Sequence, residues 1–253
     1  MDAVVTAGGR ISGKFARRTG VTVKALIEVG GQPVIRTVVD ALRGLPDIQK
    51  IFVVGPEELM RSAIGDSADE IIPEAPDGAA NFIMGLERCQ TEDGGRAIFA
   101  ASDLPFLTTD SLRAYLALCS PEADFSYPIL RKQQFLAAYP GGGALFVPMR
   151  GGWYTGGCVF LLNPQAILAN REMIERVFAS RKSPFKLASI LGWSFVFRLL
   201  TFSADPDSCA RRGSAVIGCE CRAVSDSPPE LAYDLDDLAD YDYAVRRVEL
   251  SNA

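Results

Sequence analysis

Residues Thr6-Ala7-Gly8-Gly9-Arg10 directly follow a short apolar run and set two glycines beside a cation. Paired glycines let backbone N–H groups approach phosphate oxygens closely, and an arginine adds two-pronged, charge-assisted hydrogen bonds. The segment reads as a phosphate-binding turn, with a plain tight strand-to-loop turn as the alternative. Two known phosphate loops do not fit it. Gly8, Gly13 and Lys14 have the spacing of G-x-x-x-x-G-K, but Phe15 stands where a Mg²⁺-binding Ser or Thr is needed. The stretch Ala16-Arg17-Arg18-Thr19-Gly20 is also polar and short for the helix that loop requires. A dinucleotide G-x-G-x-x-G fails because Arg10 takes the place of the second glycine. The chain has no histidine, which removes Ser-His-Asp triads, imidazole relays and His-metal sites. Chemistry is left to carboxylates, amines and a metal ion.

The elements that must position this turn follow from the apolar pattern. Through residues 1–120, short β-branched runs alternate with longer amphipathic ones, as parallel strands do with crossover helices. Strands are expected at Ala3–Thr6, Ile51–Val54, Glu70–Ile72 and Ala97–Ala101. Helices are expected at Pro33–Leu42, Gly78–Cys89 and Thr108–Cys119, the last opening with Thr108 or Thr109 as N-cap. Beyond Asp124 the pattern changes. Phe125–Leu130, Ala144–Met149 and Cys158–Leu162 are strand-like, separated by Pro140-Gly141-Gly142-Gly143 and Arg150-Gly151-Gly152 turns, so some antiparallel strands are expected. A helical region is expected from Pro164 to about Phe202, a further helix start at Asp205-Pro206-Asp207, and a short run at Gly218–Val224.

The order of motifs is specific. Ala7-Gly8-Gly9-Arg10 is followed by Lys24-Ala25-Leu26-Ile27-Glu28-Val29-Gly30-Gly31-Gln32-Pro33, and then by Ser102-Asp103-Leu104-Pro105 at a strand end. This sequence of motifs resembles the MobA-like nucleotidyltransferase family, whose pattern is A-G-G-x, then K-x-L-x-x-x-G-x-P, then a metal-binding D-x-P. The resemblance implies a three-layer α/β/α Rossmann-like fold of the GT-A type with a mostly parallel mixed central sheet. It implies one domain over residues 1–253, with a nucleotide-binding half (1–120) and an acceptor-binding half (121–253) whose helical region covers about 164–217. It further implies nucleotide contacts from Ala7, Gly8, Gly9, Arg10, Lys24, Asp77, Gly78, Asn81 and Ser102. For Asp77, a helix N-cap is the equal alternative. Softer likenesses are Tyr154-Thr155-Gly156-Gly157, which implies acceptor contacts from Thr155, Gly156 and Gly157, and Asp234-Leu235-Asp236, which implies metal ligands. Relatives place an acceptor lid where Lys182, Lys186, Arg211 and Arg212 lie, although for any one of them an ordinary cation of a solvated helix face is the slightly stronger reading. The sequence departs from the family at Cys158, where Asn is usual, and at Leu238-Ala239, where a Pro-containing turn is usual.

The implied activity is transfer of an NMP unit from an NTP to a small phosphorylated or hydroxylated acceptor, with pyrophosphate released and Mg²⁺ required. The residue types agree. In-line displacement at phosphorus depends on positioning and charge neutralisation, which Lys24, Arg10 and Asp103 as catalytic residues and Asp103, Asp234 and Asp236 as Mg²⁺ ligands would supply. Lys24 is expected to be exposed, and Asp234 and Asp236 to share one strand face. Two other functions remain open from the sequence: a non-catalytic nucleotide-binding regulatory protein, and a nucleotide-sugar glycosyltransferase. The latter needs D-x-D after the central strand, where Pro105 stands at the second acidic position.

Bulk properties bound the partners. A net charge of -5 speaks against a nucleic-acid surface, and no apolar run reaches the roughly 18 residues of a membrane span, so NTP and a small-molecule acceptor are the expected partners. The first strand-like run starts almost at Met1 and leaves no room for a signal peptide, which gives a cytoplasmic expectation. The six cysteines form no Cys-x-x-Cys pair, and Cys219-x-Cys221 lacks further ligands, so reduced thiols are expected.

Overall fold

The structure is a computed structural model that describes residues 1–89, 95–180 and 183–251. Among the described residues, nine strands form one sheet: β1 (Asp2–Thr6), β4 (Ile51–Gly55), β5 (Glu70–Pro73), β6 (Ala97–Ala101), β7 (Phe125–Arg131), β8 (Val147–Met149), β9 (Gly152–Gly156), β10 (Val159–Leu162) and β11 (Cys221–Ser225). A separate hairpin pairs β2 (Glu28–Val29) with β3 (Gln32–Pro33). The order is β5-β4-β1-β6-β10-β7-β9-β8, with β11 on β7. β1 lies parallel between β4 and β6, while β10 runs antiparallel to both β6 and β7. β9 is likewise antiparallel to β7, so β9 and β10 are the two strands that oppose the rest. The fold is a mostly parallel mixed sheet with flanking helices.

Strand alternation sets the layers. Ala3 and Val5 of β1 point into one apolar cluster and Val4 into the other, on the opposite sheet face. The first face is covered by α2 (Val34–Arg43), α3 (Glu57–Ile64) and α5 (Thr109–Leu118), through Val38, Leu42, Met60, Ile64, Leu112 and Tyr115. The second is covered by α4 (Gly78–Arg88), α7 (Pro164–Ala169) and α8 (Arg171–Ser180), through Ile83, Leu86, Ile167 and Ile174. A third cluster centres on Phe135, Tyr139 and Tyr233, under α6 (Lys132–Ala138) and α12 (Leu238–Ser251). Thr108 caps α5 through a capping box with Ser111, the cap the sequence points to. Among the described residues, no helix is long and apolar enough to cross a membrane.

Several local expectations are corrected. Residues 144–146 are not strand, and pairing begins at Val147; the Gly-rich turn before it leaves this run outside the sheet edge. Gly152, expected in a turn, opens strand β9, which runs to Gly156 and in which Tyr154 and Thr155 pair with Arg131 and Leu130. A helix, α1 (Gly13–Thr19), does follow the first glycine loop, ended by Gly20 in the left-handed conformation. The region 164–202 is broken into α7, α8, α9 (Pro184–Leu191) and α10 (Trp193–Leu200), with Pro164 and Pro184 opening two of them and Gly192 separating the last pair. Asp205 then caps α11 (Pro206–Ile217). Asp234 and Asp236 lie outside any strand, so the expected shared strand face does not form.

Candidate active site

The glycine loop leaves β1 at the carboxyl end of the sheet, next to the end of β6, which delivers Ser102 and Asp103. A backbone bridge between Arg10 and Val23, with Ile11 N donating to Thr22 O (3.0 Å) and Lys24 N to Gly9 O (2.9 Å), ties the loop to a single 3₁₀ turn that carries Lys24. Arg10 and Lys24, well apart in sequence, thus face one cleft of about 1020 Å³. Gly8, Gly9, Arg10, Lys24, Asp77, Gly78, Asn81, Ser102 and Asp103 all line it. Ala7 does not. It is fully buried, and its N–H is used by Val54 O at 2.7 Å.

Three carboxylates converge at the cleft: Asp103, Asp234 and Asp236 each offer an oxygen within 4.8 Å of the others. Leu235 N donates to Asp103 O (3.2 Å), so the late segment is pinned onto the β6 end, and Asp240 accepts from the N–H groups of Asp236 and Asp237 at 3.1 Å each. Lys24 Nζ forms ion pairs with Asp103 and with Asp236, the latter at 2.7 Å. Contrary to expectation Lys24 is not exposed: its side chain retains only 16% of its accessible surface, because the carboxylates close around it. Burial alone would lower its pKa, but Asp103 and Asp236 outweigh this and hold the ammonium above its ordinary value. Burial first, and then the charges of Asp103 and Asp236, push the Asp234 carboxyl up to about 7. Hard oxygen donors in this number suit Mg²⁺, which takes a few carboxylates and leaves its other positions to water and phosphate.

An Asp raised from 3.8 to about 7 by folding carries stability that is fully present below pH 4 and lost as pH rises through 7. The loss amounts to about 4 kcal/mol at most, less where solvent screens the site. Thermal unfolding is therefore expected to show stability falling from pH 5 to 8 without metal, Mg²⁺ restoring it at pH 8, and Asp234→Asn flattening the dependence. A melting profile in which neither Mg²⁺ nor Asp234→Asn changes the slope would contradict the shared carboxylate site.

Glu74, which the sequence reading did not pick out, also lines the cleft. Its carboxylate pairs with both terminal nitrogens of Arg10, one at 3.2 Å, and Arg10 further donates to Gly8 O (2.7 Å). A Cβ on Gly8 would stand 2.6 Å from Glu74 Oε2 and 2.7 Å from Asn81 Nδ2, so the loop has room for these side chains only with glycine there. Asn81 is itself fixed, accepting from Ala75 N at 2.6 Å. Asp77 caps α4, accepting from Ala79 N and Ala80 N at 2.9 Å each, while one edge of it borders the cleft. Neither Gly8 nor Gly9 has a positive φ, so their use is space rather than backbone freedom. On Gly9 a Cβ would meet only Lys24, whose Cβ lies 3.4 Å away. Gly9→Val is expected to abolish NTP binding without unfolding the chain, whereas Gly8→Val costs stability as well. Calorimetric titration paired with thermal melts checks both; a Gly9→Val variant that binds NTP as the parent does would place the phosphates elsewhere.

The expected acceptor residues do not gather at the cleft. Thr155 is buried in β9, and Gly157 is packed so closely that a Cβ would lie 2.6 Å from Leu231 O. Lys186 is exposed on α9. Arg212 donates to Leu191 O (2.5 Å) and Ile190 O (3.1 Å), closing the end of α9. Lys182 lies outside the described residues. Cys158, by contrast, lines the cleft, with its thiol 3.8 Å from Asp234 Oδ2. Burial, and next Asp234, push that thiol well above its ordinary pKa, so it stays neutral and is no nucleophile.

A family description, the MobA-like NTP transferase domain, matches residues 3–193, which takes in the glycine loop, Lys24 and Asp103. The chain belongs to this family. It is thus a nucleotidyltransferase. A hypothetical transferase from Thermus thermophilus superposes with a TM-score of 0.83 at 29% identity, over 95% of this chain and 98% of that one. A nucleotidyl transferase from Methanothermobacter thermautotroptrophicus has a TM-score of 0.59 at 18% identity, covering 99% and 98%. The 2-C-methyl-D-erythritol 4-phosphate cytidylyltransferase from Thermus thermophilus has a TM-score of 0.55 at 14% identity, covering 98% of each chain. The last two show likeness of fold alone. No curated protein sequence matches.

Proposed function

We propose that this protein transfers an NMP unit from an NTP to a small acceptor and releases pyrophosphate in a Mg²⁺-dependent reaction. The observation that carries the proposal is the meeting of Lys24 with Asp103, Asp234 and Asp236 in the cleft that Gly8 and Gly9 also line. Gly9 leaves room for the triphosphate against the loop backbone, and Arg10 turns from Glu74 toward phosphate oxygens. Lys24 places a permanent positive charge where charge develops on the transferring phosphoryl group. Asp103, with Asp234 and Asp236, holds the ion, which supplies charge neutralisation of the phosphates when bound. The acceptor oxygen forms a bond to the α-phosphorus as the bond to the bridging oxygen breaks, pyrophosphate leaves with that electron pair, and the acceptor proton passes to water. Asn81 and Ser102 are both buried at the cleft wall, and in this reading they contact the nucleoside.

Pyrophosphate release, measured for each of the four NTPs against a panel of hydroxylated and phosphorylated acceptors with and without Mg²⁺, tests the proposal. Release with at least one pair, abolished by chelator, is the expected result. NTP hydrolysis to NDP, or transfer of sugar from a nucleotide sugar, would replace it.

A further inference from the structure

Charge is unevenly spread along the chain. The stretches 125–171 and 176–204 contain Lys and Arg but no Asp or Glu, although the chain has 31 acidic residues and a net charge of -5. Two of the elements they form, the β8–β9 hairpin and α10, are neighbours at one edge of the sheet. Arg150 in the hairpin turn donates its N–H to Ala204 O (2.7 Å) and pairs through its side chain with Asp205, which ties the turn to the segment leaving α10.

That edge is apolar where it meets solvent. On α10, Trp193, Phe197 and Leu200 follow one another at i, i+4 and i+7 and stand exposed in one stripe, while Phe195 on the opposite side is buried. Phe202 continues the stripe. It holds a φ of 58°, a conformation that bulky side chains rarely adopt, and its ring meets Trp153 of β9 edge-on at 6.1 Å. Trp153, Trp193, Phe197, Leu200 and Phe202 are each between 47% and 71% exposed. Side chains of this size then leave roughly 600 Å² of apolar surface open, the upper end of what a monomer shows. Both tryptophans of the chain lie in it.

Cations rim the stripe. Lys132 of α6 lies over the Phe146 and Trp153 rings at 5.1 and 6.0 Å, and Arg131 lies over the Tyr154 ring at 5.4 Å while donating to Gly151 O (3.0 Å). Arg198 is exposed on α10 beside Phe197. An apolar stripe with two tryptophans and a cationic rim matches the boundary of an anionic bilayer, where rings settle at the level of the headgroups and Lys and Arg reach the phosphates. A second copy of the chain fits less well. A two-fold contact through the same patch sets the cations of one copy against those of the other.

We propose that the face formed by α10, Phe202 and Trp153 docks the protein on the surface of an anionic lipid bilayer without spanning it. Arg131, Lys132 and Arg198 meet lipid phosphates, and Trp153, Trp193, Phe197 and Leu200 enter the boundary of the acyl chains. The glycine-loop cleft is lined by other residues, so the inference stands apart from the nucleotidyl-transfer reading.

The test uses the full chain with vesicles of equal parts phosphatidylglycerol and phosphatidylcholine, and with vesicles of phosphatidylcholine alone. Because both tryptophans sit in the patch, their emission reports docking directly. The mixed vesicles are expected to shift the emission to the blue and to carry the chain down on sedimentation. Phosphatidylcholine alone should bind at least about 10-fold more weakly, and high salt should remove the difference. Phe197→Ser should weaken binding to the mixed vesicles by about 10-fold, the loss of one inserted ring, and Arg198→Glu should reduce the preference for phosphatidylglycerol. Both side chains are exposed, so melting temperatures without vesicles are expected to stay at the wild-type value. Leu200→Ser, also at an exposed position, serves if Phe197→Ser does not fold. Unchanged emission with the mixed vesicles, equal binding to both vesicle types at low salt, or indifference to both substitutions would overturn the proposal. So would a stable dimer that shields both tryptophans without lipid, which would make the patch an interface between copies of the chain.

Discussion

Asp103→Asn is expected to lower Mg²⁺-dependent pyrophosphate release by about 1000-fold or more while the chain remains folded. The substitution keeps the size of the side chain and its capacity to accept a hydrogen bond, and removes only the negative charge a hard cation needs. Asp103 is a buried carboxylate at the end of a central strand, with two further carboxylates and one ammonium around it. Had it served to cap the turn before Pro105, asparagine would replace it with little loss. Among the described residues, no backbone N–H donates to its carboxylate in a bond shown by the structure; its partner is Lys24. Steady-state pyrophosphate release over a range of Mg²⁺ concentrations, beside a thermal melt, decides the matter. Near-normal turnover with the usual Mg²⁺ dependence would remove Asp103 from the metal site.

Lys24→Ala is expected to cost at least ~100-fold in turnover, the weight of one charge-stabilising donor at a transition state. Its effect on stability runs opposite to what the sequence suggests. An exposed loop lysine is removed at no cost, but this one is enclosed and pairs with Asp103 and Asp236. Its loss leaves three converging carboxylates without a counter-charge, a penalty of about 1–3 kcal/mol for a partly buried group. Added Mg²⁺ replaces the missing cation among the carboxylates, so the melting temperature recovers with the ion while turnover does not. Melting curves and kcat measured with and without Mg²⁺ separate the two effects. A variant with near wild-type kcat, or one whose stability Mg²⁺ leaves unchanged, would refute the role given to Lys24.

The difference over Lys24 shows which parts of the molecule are legible in the sequence. The nucleotide half rests on local signals: β-branched runs buried on both faces, the Thr108 cap, and glycines beside a strand end. These carry their own physics, and β1, β4, β5 and β6 lie within one or two residues of expectation. Burial of Lys24 depends on Asp236, which lies 212 positions away, and nothing local to either residue encodes that approach. The same holds for Glu74 and Arg10, 64 positions apart. An Asp-rich segment such as 234–240 reads as solvated surface until Leu235 N is seen docked on Asp103 O. In the second half the glycines mislead. Gly152 and Gly156 bound a strand whose pairing comes from β7 and β8, and Gly157 answers a close packing contact with Leu231 rather than a ligand.

The most direct measurement of the central claim is a thermal-shift comparison of the four NTPs, each with and without Mg²⁺, on the wild-type chain and on Asp103→Asn. Ligand that binds only the folded state adds about 2.7 kcal/mol at 100 times its dissociation constant, a readily visible shift. At least one NTP is expected to raise the melting temperature of the wild type in a Mg²⁺-dependent manner, with that dependence lost in Asp103→Asn. No shift with any NTP in the presence of Mg²⁺, or an equal Mg²⁺-dependent shift in the variant, would contradict a triphosphate held between the glycine loop and the Asp103 metal site.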